Sequence, residues 1–532
     1  MKRFLILWIV LLPVLLLGQQ GFADEPIVPG DVPGFWEELI ESDSLTYGAG
    51  GVVGAVTVDG VTYSQIRLRP EIEFGKLGVG LDIDLLIDSD GKIRQEDWND
   101  WKDYLGKLFY IRYGRRKDLL YFKTGAISDY TLGHGMIFNN YSNMLRYPDD
   151  KNIGSYVGMN TRLFGLGFEL YTHDLFRNQI LAGRVHAKPM QYLKIPYFEN
   201  FKLGFNIGWD RDQLSRFTDD DGDGVPDVYD KFPTDPQSSA DTDDDGISDD
   251  IDWDINGDGV IDGPANPAVE ATFPGIFGYY PDYEFDNDFV TDSLQVYTDK
   301  QPLFIYSVDY ELPVMDHEYF KLSTYGELAK IQDHGSGLIF PGFGAKFLIF
   351  EAKLELRNFG RGFLPSYFDR IYEGKRSELQ IVIDPDTGQR HYSLITKEQI
   401  LDQVKPTMGW FGYMQAELWE MLYFRAAYQD MYGKDMKAGK SIWAKLGATP
   451  KMIPKLKQAT LYYSQTNVDY IDFRRLRTSQ AHVVGELIYA IADNANLIGR
   501  YTEHYTDINN DGRIRGKNEI QEILTFGVEF TF

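Results

Sequence analysis

The sequence predicts an all-β fold: a transmembrane antiparallel up-and-down β-barrel of about 18 strands (roughly 16 to 20) carrying one long inserted loop. Three observations predict it. Segments of about ten residues alternate apolar and polar positions, the length at which a tilted strand crosses a hydrocarbon layer. Aromatic residues make up 15% of the chain, with 35 Tyr and 34 Phe, as expected where rings line both membrane interfaces. The last alternating segment, Leu524 to Phe532, ends in Phe.

The elements follow in chain order. Met1-Lys2-Arg3 precedes an apolar run from Phe4 to Leu17, and Gly21-Phe22-Ala23 then offers small residues where a signal peptidase reads. The run is shorter than the roughly 20 residues of a spanning helix, so residues 1–23 read as a cleaved secretory signal peptide. Residues 24–44 read as a short N-terminal periplasmic segment, with a brief helix over Pro33 to Ile40. Beyond residue 23 no stretch is apolar enough to cross a bilayer as a helix. The chain has no cysteine, so disulfides and thiolate metal sites are excluded. A net charge of -27 argues against nucleic acid as a partner.

Residues 45–212 and 301–532 are expected to form the first and second parts of the barrel. Ile66, Leu68, Ile72 and Phe74 oppose Arg67, Arg69, Glu71 and Glu73, and Leu77, Val79, Leu81 and Ile83 oppose Gly78, Gly80, Asp82 and Asp84. Gly75-Lys76 between them is short enough for a tight hairpin. The same division recurs at Leu354 and Leu356 against Glu351, Lys353, Glu355 and Arg357. A soluble sandwich would also alternate, but no helical layer is visible to cover so many long strands.

The stretch Thr525-Phe526-Gly527-Val528-Glu529-Phe530-Thr531-Phe532 resembles the terminal signal by which bacterial outer-membrane barrels are recognised for insertion. The resemblance covers eight residues. It implies a location in the bacterial cell outer membrane, lipid of that membrane as a partner, engagement of the barrel-assembly machinery through Phe532, and an even strand number.

Between the two parts, residues 213–300 break the strand pattern and form an acidic loop, expected to be extracellular. Asp219, Asp221, Asp223, Gly224, Asp227 and Asp230 fit D-x-D-x-D-G-x-x-D-x-x-D, and Asp241, Asp243, Asp245, Gly246, Asp249 and Asp252 repeat it. Calcium takes six to eight hard oxygen ligands, and carboxylates at alternate positions wrap a chain around one ion while Gly permits the turn. A partial third copy runs Asp254, Asn256, Asp258, Gly259, Asp262, with Ala265 at its last position. The arrangement resembles thrombospondin type 3 repeats, which implies that these residues ligate Ca2+ and that the ion stiffens the loop.

Weaker signals are also present. Asp507, Asn509, Asp511 and Gly512 begin a calcium-like loop, but Asn518 stands where a carboxylate belongs, so a polar hairpin is expected. Glycines around Gly133-His134-Gly135 read as bends or bulges in a strand rather than as a constriction. His134 and His173-Asp174 belong to no Ser-His-Asp grouping at recognisable spacing, and the chain is not expected to be an enzyme. Lumen positions of both charge signs suit a porin-like barrel that passes a small polar solute. The alternative is a surface-interaction or adhesion protein that uses the barrel as a membrane mount, and a third reading is a barrel enzyme.

Overall fold

The computed structural model describes residues 49–531 apart from short internal stretches, the longest of which are 286–292 and 506–513. Residues 1–48 and Phe532 lie outside the described residues, and with them the expected signal peptide, the expected N-terminal segment and the terminal aromatic. The hairpin expected around Asp507 lies outside them as well. The chain divides into two compact units, the first drawn from Met1–Gly208, Phe304–Tyr372 and Asp402–Phe532, the second from Trp209–Leu303 and Glu373–Leu401.

The first unit is built on a single antiparallel sheet. Its opening strands are β1 (Ala49–Val58), β2 (Val61–Phe74), β3 (Leu77–Leu81), β4 (Ile83–Ile87), β5 (Leu108–Tyr113) and β6 (Leu120–Gly125). Next come β7 (Gly154–Asn160), β8 (Gly167–Thr172), β9 (Ile180–Ala187) and β10 (Lys202–Asp210). The chain passes through the second unit, where β11 (Ser293–Gln295) lies, and returns as β12 (Leu303–His317), β13 (Phe320–Ile331), β14 (Ser336–Phe347) and β15 (Phe350–Phe359). A second excursion holds β16 (Ser377–Ile383) and β17 (Arg390–Thr396). The sheet then ends with β18 (Thr407–Leu418), β19 (Leu422–Tyr432), β20 (Lys440–Ala448), β21 (Leu456–Val468), β22 (Ala481–Ala492), β23 (Ala495–Tyr505) and β24 (Ile520–Thr531).

Successive strands pair antiparallel, and β1 also pairs with β24 through Gly50↔Thr531, Gly51↔Phe530 and Val52↔Glu529. The sheet therefore closes on itself and leaves no edge among the described residues. It contains 21 segments. Because β3 and β4 are one strand interrupted at Asp82, both pairing with β2, about 20 strands cross among the described residues, the upper end of the expected range. The protein is a transmembrane up-and-down β-barrel.

Its amphipathicity is inside out. Leu354 and Leu356 on β15 are 47% and 50% exposed, whereas Glu355 between them is fully buried. Phe205 is exposed beside buried Asn206, Val308 beside buried Ser307 and Asp309, and Leu328 beside buried Glu327. In water that arrangement would expose the apolar face and bury charge. It is stable where lipid solvates the outward side chains and inward polar groups pair with one another. Connections also differ between the two ends. On the side where β1 begins, β2–β3, β12–β13 and β14–β15 turn within two residues, while the opposite side carries the connections 126–153, 211–302 and 360–406.

In the second unit, β17 pairs antiparallel with β16 and parallel with β11. Residues 373–401 were read from the sequence as part of the barrel's second half, because a hairpin alternates in the same way whichever sheet it joins. Arg376 anchors the excursion. It is buried, donates from Nε and Nη2 to the Asp210 carboxylate at 2.7 and 2.6 Å, and also donates to the Asp212 carbonyl. Two short helices, α1 (Pro267–Thr272) and α2 (Ile276–Tyr279), follow the acidic repeats.

Candidate functional site

Two features carry polar chemistry: the barrel lumen and the acidic repeats. In the lumen, the connection after β6 folds inward. Ile127, Tyr130, Leu132, Met136, Phe138 and Tyr141 on it are at most 1% exposed. It joins the connection after β15 by a parallel bridge at Phe138↔Phe368. The Phe368 and Ser366 N–H groups donate to the Ile137 and Met136 carbonyls, and the Phe138 and Phe368 rings stack at 4.3 Å. Asn143 closes the far end of the segment, its amide reaching the Gly125, Asn152 and His173 carbonyls.

The Gly133-His134-Gly135 turn rests on a polar cluster of the wall. The Glu327 carboxylate accepts the His134 N–H at 2.8 Å, the Met136 N–H at 3.4 Å and the Ser307 hydroxyl at 2.6 Å. Arg184 forks onto Asp309, and Asn206 donates to Ser307 and Asp309. A Cβ at residue 133 would stand 2.8 Å from the Asn206 amide, and φ there is +62°, so only glycine fits this approach. These glycines are thus not bends within a strand, as the sequence reading preferred, but the point where backbone meets the lumen wall.

Two ion pairs elsewhere in the sheet are partly exposed. Glu73 and Arg112 pair with side chains 19% and 23% exposed, and Glu486 pairs with Arg500 in a similar setting. Arg67 is bidentate to Asp82 at 2.8 and 2.7 Å, and Glu355 is paired with Arg357. The mixed lumen charges expected from the sequence are therefore largely neutralised in pairs. His134 Nε2 meets the Tyr310 carbonyl at 3.1 Å and His173 Nδ1 accepts the Ile180 N–H, while Asp174 receives the Phe176 and Arg177 N–H groups.

The three acidic copies share one backbone path. At the sixth position Gly224, Gly246 and Gly259 have φ of 94°, 91° and 89°, and at the fourth Gly222, Asp244 and Gly257 have 80°, 64° and 70°. The first Asp of each copy (Asp219, Asp241, Asp254) accepts the N–H of that sixth-position Gly. Asp223, Asp245 and Asp258 each accept the N–H two residues on at 2.7 Å. Asp227, Asp249 and Asp262 accept the N–H of the second residue, at 2.8, 2.8 and 3.1 Å.

Within that path, Asp219, Asp221 and Asp223 bring one carboxylate oxygen each to within 4.8 Å of one another, as do Asp241, Asp243 and Asp245. Asp230 and Asp252, the last positions of the two full copies, are buried, and an oxygen of each accepts no hydrogen bond; the same holds for Asp221 Oδ2. Burial pushes the Asp230 carboxyl above the ordinary range, and the facing Asp223, Asp221 and Asp227 push it further. Burial likewise raises Asp223, with Asp221 and Asp219 adding to it. In the third copy, Asn256 replaces a carboxylate, Ala265 lies outside the described residues, and the buried Asn266 amide donates to Asp262 and to the Asp252 carbonyl.

No family model and no curated protein sequence matches the chain. Among solved structures it is similar to the ferric enterobactin receptor PfeA, at 9% identity over 91% of this chain and 81% of that one, with a TM-score of 0.31. It is similar to Wzi of Escherichia coli, an outer-membrane carbohydrate-binding β-barrel involved in group 1 capsule assembly, at 7% identity, 91% and 83% coverage and a TM-score of 0.32. It is also similar to OccK11 of Pseudomonas aeruginosa, at 10% identity, 91% and 94% coverage and a TM-score of 0.28.

Proposed function

We propose that the chain is a bacterial outer-membrane, porin-like barrel that passes small polar solutes through a lumen narrowed by the inward segment after β6, and that its acidic loop binds calcium. The contrast between buried and partly exposed inward groups carries the first part. Glu327, under residues 126–143, is buried, as are Glu355 and Asp82, while the inward pair of Glu73 with Arg112 keeps its side chains 19% and 23% exposed. A barrel of this strand number encloses more space than its own side chains fill. We take the lumen left beside the joined connections after β6 and β15 to be an aqueous path lined by paired charges of both signs, a surface that a small hydrated solute can follow.

The calcium reading rests on the donor set. Asp219, Asp221, Asp223, Asp227 and Asp230 would hold one ion, and Asp241, Asp243, Asp245, Asp249 and Asp252 a second. Carboxylates gathered at this density repel one another, and hydrogen bonds from the backbone offset that only in part. The buried oxygens of Asp221, Asp230 and Asp252 that accept no hydrogen bond suit a cation. Asp254, Asn256, Asp258 and Asp262 form the weakest site, with the fewest charges.

Single-channel recording of the refolded full chain in planar bilayers, with calcium and with chelator, tests the pore. Discrete open steps support it. Silence from protein shown to be folded sinks it and turns attention to the surface-interaction alternative, in which the loop is the working part.

A further inference from the structure

Two connections on the side where β1 begins differ from the rest of that side. The β9–β10 connection is the longest there, residues 188–201, and it packs on the β7–β8 turn, residues 161–166. The Lys188 N–H donates to the Phe164 carbonyl at 2.6 Å, and the Gln191 amide reaches the Arg162 carbonyl. The Phe164 and Tyr192 rings meet edge to face at 4.9 Å. Gly165 lies so close to Lys188 that a Cβ would stand 2.9 Å from its side chain. The pair is an ordered surface, and it is apolar: Leu163, Phe164, Tyr192, Leu193 and Tyr197 are between 46% and 63% exposed.

The backbone makes the exposure more telling. Leu166 N–H bonds to the Leu163 carbonyl across a turn whose central residues, Phe164 and Gly165, have φ of 50° and 52°. Such turns ordinarily take Asn or Gly at the first of these positions, because a left-handed conformation is unfavourable for a residue with a bulky side chain. Tyr197 is held at φ of 70° on the neighbouring connection. Two aromatic residues thus adopt strained backbone conformations, yet neither is buried in the chain's own core. Ordered and exposed, the two rings offer a surface for a contact outside the chain.

Continuity identifies that contact. The same face runs onto the outward residues Phe168 and Leu170 of β8 and Val185 of β9, which face lipid. Arg162 and Lys188 flank the rings, and amphipathic aromatics beside cations are the composition of a membrane interface. We propose that residues 161–166, 188–193 and 195–201 form a lipid-inserted foot, seated in the headgroup layer of the leaflet on the side where β1 begins, which fixes the depth of this sector of the barrel. The proposal requires the barrel in a bilayer and is independent of whether the lumen conducts.

Because the chain has no cysteine, single labels test the proposal in the full-length protein reconstituted in vesicles of phosphatidylethanolamine and phosphatidylglycerol. A fluorophore is placed at Tyr192→Cys, Leu193→Cys or Tyr197→Cys, with Leu170→Cys as the lipid-facing reference and Asp333→Cys, on a turn at the opposite end, as the aqueous one. Only variants that keep the folded barrel's gel mobility are compared. Headgroup-level nitroxide lipid is expected to quench the foot labels, and aqueous iodide to quench them about threefold less than the label at position 333. Iodide quenching equal to that at position 333, with no quenching by lipid, overturns the proposal.

Discussion

Glu327 on β13 accepts the backbone N–H of His134 at 2.8 Å, 193 residues away in sequence, and so pins the inward segment to the lumen wall. Removing the carboxylate leaves the His134 and Met136 N–H groups without their acceptor, at a cost of about 1–3 kcal/mol for a buried hydrogen-bonded group. Glu327→Ala is therefore expected to loosen residues 128–145. Single-channel traces should show larger or flickering conductance, and Glu327→Gln, which keeps an acceptor, should show less of both. Traces of Glu327→Ala identical to wild type would mean the aromatic stack at Phe138 and Phe368 holds the segment alone.

The two full acidic copies should bind calcium with about two ions per chain at the highest affinity, because only these copies place a carboxylate at every ligand position. Calorimetry is expected to give that stoichiometry in the wild type. Asp230→Ala should remove one of the two tight sites, and Asp252→Ala the other. Asp223→Ala combined with Asp245→Ala should abolish calcium protection of residues 213–300 against protease. Equal digestion of the wild type with calcium and with chelator would exclude calcium as the stiffening agent.

The same carboxylates impose a pH dependence. Burial and like charge hold Asp223 and Asp230 above the ordinary carboxylate range in the folded loop. A carboxyl whose folded value is raised contributes stability that is full below its unfolded value and is lost as pH climbs through the folded one. The metal-free loop should therefore be better protected in acid than at neutral pH, as read by hydrogen exchange corrected for its intrinsic rate. Calcium affinity should run the other way, falling in acid as protons compete for the same oxygens. A metal-free loop whose protection rises toward neutral pH would contradict this account.

The barrel was legible where strands are long. On β15 the division of Leu354 and Leu356 from Glu355 repeats often enough to mark both faces. It was less legible at β5, whose Leu-Phe-Tyr-Ile-Arg-Tyr places apolar and aromatic residues on both faces within six positions, which is why counting alternations gives about 18 strands rather than about 20. The acidic copies were readable because each places its candidate ligands within one short segment. The Glu327 cluster was not, since Gly133, Arg184, Asn206, Asp309 and Glu327 come from five separate segments and meet only in the closed sheet. A single inward Glu on a strand looks like any other lumen charge until its partner is known.

Arg376 and Asp210 supply the last test, on the second unit alone. Both side chains are buried, with the guanidinium bidentate on the carboxylate. Removing one member of such a pair strands the other charge away from water and typically costs about 3–5 kcal/mol, whereas replacing both by apolar groups of similar volume can be nearly neutral. Arg376→Met is therefore expected to expose residues 373–401 to protease while the barrel keeps its folded gel mobility. Arg376→Met combined with Asp210→Leu should recover most of the resistance. If the double variant is cleaved as fast as the single one, the hydrogen bond from Arg376 to the Asp212 carbonyl matters more than the charge pair.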